Sequence, residues 1–186
     1  MNRDIMPTID EYVKYSLLVE DTENSLIELE KLIIKAKKER IVAYNRGDTR
    51  KVQKLDMIIS EYSKAKKAKE EEFEHECLFR YYMSSTYINF SKELSEEELK
   101  YLIERLNKKV RELSSRVKTL SMIKMKSLKV ANNVKNEETI KKSTELSSSS
   151  HTELLRVNNS IKEYENVKGD LAKILTEKEE KSSPRV

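Results

Sequence analysis

The chain has 186 residues, 38% of them charged and 6% aromatic, with two glycines, two prolines, no tryptophan and a formal net charge of +4. So little Gly and Pro excludes a sheet protein, whose turns need both, and Lys-, Glu- and Leu-rich sequence at helical spacing points to long helices. With 37% hydrophobic residues, part of the chain is expected to bury its apolar stripe only against a partner. Basic and acidic side chains are interspersed, as on solvated helix faces. The nearest approach to a basic block, Lys64, Lys66, Lys67 and Lys69, runs directly into Glu70, Glu71 and Glu72. No nucleic-acid partner is expected from that pattern. A single cysteine, Cys77, rules out an internal disulfide framework and suits a cytoplasmic setting. No apolar run of ~20 residues is present to span a bilayer, so any membrane anchor is expected to lie beyond Val186.

In chain order, Met1 to Pro7 reads as a short arm, and Thr8 to Glu11 as a capping box opening the first helix. Ile9, Tyr12, Val13, Leu17, Leu26, Leu29, Ile33, Ala36 and Ile41 keep helical spacing toward Tyr44, with a loosening expected at Glu20 to Asn24. Asn45-Arg46-Gly47-Asp48 is the clearest turn, since Gly47 tolerates positive φ and Asn and Asp favour turns. A second helix carries Val52, Leu55, Ile58, Ile59, Tyr62 and Ala65 on toward Phe90. The stretch from Phe73 to Phe90 holds all three Phe, three Tyr and the cysteine; a core role is favoured over a docking face.

Ser95-Glu96-Glu97-Glu98 is a second capping box, with acids in the first turn where the helix dipole favours them. It starts a seam through Leu99, Leu102, Ile103, Leu106, Val110, Leu113, Val117 and Leu120. A helix of about 40 residues here would reach roughly 60 Å. The register slips between Lys124 and Asn136, where a stutter or hinge is expected. The stripe resumes at Leu154, Val157, Ile161, Tyr164 and Leu171. Traced backward it passes Ser150, Ser147 and Ser143 to reach Ile140. Thr139 to Ser150 is thus either a polar linker or a seam with small hydroxyls set among its layers. Alone, it should be poorly helical.

The constellations that carry chemistry are missing. His75 and Cys77 lie two apart, a spacing that points them away from each other on a helix, and zinc wants four ligands. Gly47 and Gly169 are too far apart for a phosphate loop. The carboxylates alternate with lysines and suggest no pocket to shift a pKa. No enzyme activity, cofactor or metal is expected.

The layout of N-terminal helices, hinge and weakly folded C-terminal coiled coil resembles that of SNARE proteins. The run Lys126-Ser127-Leu128, Val130, Val134, Glu137-Glu138-Thr139-Ile140, then Leu154, Val157, Ile161 and Tyr164, looks most like the unconventional endoplasmic-reticulum SNAREs of Golgi-to-ER retrograde transport. The resemblance implies a segment that zips with three partner helices into a parallel bundle, N-terminal helices that dock a tethering complex, and a place on the cytosolic face of the endoplasmic reticulum. Where that family carries Gln, Arg or, in some ER members, Asp in the central layer, this register has Ser147.

The expectation is therefore an all-α chain: an N-terminal antiparallel helical bundle followed by a long coiled-coil-type arm. Its regions are 1–94 N-terminal helices, 95–134 connecting helix, 135–178 coiled-coil segment and 179–186 polar tail. The expected partner-binding residues are Leu113, Val117, Leu120, Ile140, Leu154, Val157, Ile161, Tyr164 and Leu171, engaging other helical proteins in a heteromeric coiled coil. A SNARE-like component of vesicle traffic is the first reading of function. The rival is a structural coiled-coil subunit of a kinetochore, spindle or transcription scaffold.

Overall fold

The computed structural model describes residues 4–182 and consists of four helices: α1 (Met6–Asn45), α2 (Thr49–Glu93), α3 (Glu96–Asn133) and α4 (Glu137–Ser182). The class is all-α. Residues 183–186 of the expected tail, including Pro184, lie outside the described residues, as do residues 1–3 of the expected arm.

Local chemistry accounts for the helix ends. The Asp4 carboxylate accepts a hydrogen bond from the Met6 backbone N–H at 3.1 Å, so α1 starts two residues before Thr8. Pro7 sits in the first turn, where its missing N–H costs nothing. The capping box expected at Thr8–Glu11 is therefore not an N-terminus, because Asp4 caps the chain earlier. The loosening expected at Glu20 to Asn24 does not occur either; α1 runs unbroken, with Thr22 buried. The turn at Asn45–Asp48 forms as expected, with Gly47 at φ 73°, a conformation that favours glycine. Asp48 then caps α2 by accepting from the Lys51 N–H.

The Ser95 box is complete: its hydroxyl accepts from the Glu98 N–H at 3.2 Å, and the Glu98 carboxylate accepts from the Ser95 N–H at 2.8 Å. These bonds hold the Glu98 carboxyl below its usual range, the backbone N–H of Ser95 being the main cause. Ser95→Ala is expected to lower stability by about 1 kcal/mol, read as a shift in thermal or urea midpoint.

The chain divides into two compact units, and α1 and α2 contribute to both. One unit is the hairpin of residues 14–82. Its strands of helix are antiparallel, since the pairs Tyr15–Phe79, Glu30–Lys66 and Arg40–Asp56 climb one helix while descending the other. Ala36, Ala43 and Leu55 form its buried cluster, with Val52 and Ile59 packed against it. The small alanines let the two backbones approach closely.

The other unit joins the described residues up to Val13 with those from Met83 on. Here α3 and α4 form an antiparallel pair, as Lys100–Glu179, Arg116–Glu153 and Lys124–His151 show. The three-residue connection Val134–Asn136 leaves α4 no route but back along α3. Asn136 caps the new helix by accepting from the Thr139 N–H at 3.1 Å. Buried side chains include Ile5, Ile9 and Val13 from α1 and its approach, Tyr87 and Ser91 from α2, Leu99, Leu102 and Leu106 from α3, and Val167, Leu171 and Ile174 from α4. Each such aliphatic side chain contributes roughly 1.5–3 kcal/mol when fully buried.

Candidate interaction surfaces

The first question is where the expected partner-binding seam lies. Leu113, Val117 and Leu120 of α3 are half-buried, as are Ile140, Leu154 and Ile161 of α4. Val157, Tyr164 and Leu171 are buried within the chain's own unit. In this fold the chain's own helices cover these three. The tight turn folds α4 onto α3, so the two apolar edges cover each other. The serines follow the same geometry: Ser147 and Ser150 are buried, Ser143 half-buried, and Ser127 of α3 is buried as well. The stretch Thr139 to Ser150 is helical and part of the seam, not a linker. Small hydroxyl side chains there let α3 and α4 run close together.

The seam is reinforced by tyrosines that reach acidic groups. The Tyr87 hydroxyl donates to Asp170 at 2.8 Å, Tyr164 donates to Asp10 at 2.6 Å, and Tyr12 donates to Glu163 at 3.2 Å. Tyr12 and Tyr87 also meet ring to ring, with centroids 5.3 Å apart and planes tilted by 59°. Lys109 lies 3.5 Å from Asp10 and 5.4 Å from the centre of the Tyr164 ring. These contacts tie the start of α1 and the end of α2 to α4, satisfying polar tips whose rings are buried. Burial first, then the neighbouring carboxylate, pushes the Tyr87 and Tyr164 phenols well above their ordinary value. A phenol whose folded pKa is raised lends stability that is intact below its unfolded pKa near 10.0 and is lost as pH rises past it. The urea midpoint should therefore fall on the alkaline side of that value, and Tyr87→Phe/Tyr164→Phe should flatten the fall.

Beside this network, an open groove of about 960 Å³ runs between the start of α1 and α3, lined by Met6, Asp10, Tyr101, Arg105, Lys108 and Glu112 among others. Charges of both signs alternate along it, and Asp10 is already engaged by Tyr164 and Lys109. It is a solvated groove without a converging donor set. No grouping of three or more potential metal ligands occurs among the described residues. No described helix is long and apolar enough to cross a membrane.

The aromatic stretch from Phe73 to Phe90 is not the core that its composition suggests. Only Tyr87 is fully buried; Phe79 stacks on Tyr15 at 5.2 Å but stays partly open, and Leu78, Tyr81 and Tyr82 are exposed. One continuous helix cannot turn every side of an 18-residue aromatic run inward. Glu76, in the same run, is buried with one carboxylate oxygen lacking a hydrogen-bond partner, a local cost to stability.

Sequence reasoning missed a second apolar surface. Met122, Met125, Leu128 and Val130 of α3 and Leu146 and Leu155 of α4 are all exposed, on the half of the hairpin nearest its turn. The available signal was the position of Met122 and Met125 off the Leu113–Val117–Leu120 seam. Comparison with known proteins gives no assignment: no protein-family model, no curated protein and no solved structure matches the chain.

Proposed function

We propose that this protein is a non-catalytic helical docking subunit of a multiprotein assembly, in which an uncovered apolar stripe of α3 receives a helix from another chain. The supporting observation is the exposed stripe Met122, Met125 and Leu128 on α3. Large apolar side chains three residues apart along one open face of a helix amount to an unfilled helix-packing site, and flexible methionines adapt to a partner's surface. Affinity purification of the full chain beside Met125→Glu/Leu128→Glu tests this reading. The charged variant should keep its helicity and lose stoichiometric partners that the unaltered chain retains. An identical partner set in both overturns it.

The SNARE-like reading is the second, favoured by the hydroxyl layer of Ser147 and Ser150 on an apolar seam that follows a break at Val134–Asn136. Under it, Val157, Tyr164 and Leu171 exchange α3 for partner helices, so α4 must release readily. Hydrogen exchange in the full chain would then be much faster along α4 than along α3. Equal protection of the two helices counts against it.

A further inference from the structure

The tip of the α1–α2 hairpin carries a strongly basic stretch on both sides of the Gly47 turn. From Lys31 to Lys54 there are nine basic and two acidic side chains, a net of +7 in a chain whose total is +4. Arg40 pairs with Asp56 and Lys31 with Glu28. Lys35, Lys37, Lys38, Arg46, Arg50, Lys51 and Lys54 are exposed, and no ion-pair partner is present for them among the described residues. The tip also presents apolar groups. Ala36, Ala43 and Leu55 occupy the inner face, which leaves Ile34 and Ile41, two helical turns apart, pointing outward. Ile41 is 57% exposed and Tyr44 71%, with Val42 also open.

We propose that this tip docks on an anionic phospholipid surface. The lysines and arginines face the headgroup phosphates, while Ile34, Ile41 and Val42 enter the boundary with the acyl chains and Tyr44 sits at the headgroup level. Long lysine stems beside the isoleucines can lie along apolar material and keep their ammonium groups at the phosphates. Charge alone would suit a nucleic-acid backbone equally well. The aliphatic side chains decide against it, because a phosphate backbone offers them nothing and single strands are held by stacked aromatics, of which the tip has one. Surface docking of this kind needs no membrane-crossing helix.

The test is flotation of the full chain with vesicles of phosphatidylcholine alone and of phosphatidylcholine mixed with phosphatidylserine. The chain should float only with the mixed vesicles and be released by added salt. Lys35→Ala/Lys37→Ala/Lys38→Ala should weaken partitioning on the order of 100-fold, and Ile41→Ser/Val42→Ser on the order of 10-fold. Lys118→Ala/Lys129→Ala, two exposed lysines of α3 in the other compact unit, should leave it nearly unchanged, and circular dichroism checks that each variant is folded. Equal flotation with both vesicle types, equal loss in the Lys118/Lys129 variant, or undiminished flotation of Ile41→Ser/Val42→Ser overturns the proposal. So does an RNA or DNA duplex that competes the chain off mixed vesicles at equal salt.

Discussion

Leu106→Ala is expected to cost about 2–5 kcal/mol of folding stability. Leu106 is 0% exposed on α3, in the part of the unit where Leu99 and Leu102 are also buried and where α4 supplies Val167 and Leu171. Removing its branched end takes away transfer free energy and leaves a cavity that surrounding helices close only in part. Leu128→Ala is the matched control, since Leu128 is 43% exposed on the same helix. Its cost should stay well under that of Leu106→Ala. Urea unfolding of the two variants side by side measures the difference. Equal costs would mean that α4 does not cover this stretch of α3.

The second large effect concerns α4 as a whole. A fragment of residues 136–186 should show little helix by circular dichroism, although Glu137–Ser182 is helical in the intact chain. Thr139, Ser143, Thr144 and the run Ser147–Ser150 are poor helix formers whose hydroxyls compete for backbone groups. Thr144, Ser149 and Thr152 do turn back to carbonyls three or four residues earlier. Helix nucleation is unfavourable without tertiary contacts, and here those contacts come from α3. Residues 95–182 together should regain the helicity. A strongly helical isolated fragment would show that α4 holds itself, and that burial of Val157, Tyr164 and Leu171 is not what orders it.

Much of the fold was legible because its signals are local. The Ser95–Glu98 box depends on side chains three residues apart, and it starts α3 where the sequence indicates. The Gly47 turn needs one residue that tolerates positive φ, and it forms there. The periodicity from Leu99 to Leu106 correctly marks buried positions. Errors arose where a local signal had a competitor nearby. Thr8–Glu11 has the pattern of a cap, but Asp4 reaches the Met6 N–H first. The aromatic run from Phe73 to Phe90 has the composition of a core, yet composition does not say which side of a helix is covered.

The surfaces were less legible, for a different reason. An apolar stripe records that something must cover it, without recording whether that is another chain or another helix of the same one. The spacing of Leu154, Val157, Ile161, Tyr164 and Leu171 is compatible with both. The turn at Val134–Asn136 reverses the chain and lays α4 along α3, which buries Val157, Tyr164 and Leu171 within the chain. The basic tip was partly hidden in the same way. Its net charge is countable along the continuous run Lys31–Lys54, but which of its apolar residues stay open beside the lysines depends on the pairing of α1 with α2.

Taken by itself, the sequence determined that this chain is helical, where α1 turns into α2 at Gly47, where α3 begins at Ser95, and which residues open the stripe of α3, because caps, turns and periodicity act over a few neighbouring residues. Only the tertiary structure decided which stripes cover each other and which apolar and basic side chains stay open to solvent. Those outcomes depend on how helices meet across long stretches of chain, and no short run of residues encodes that meeting.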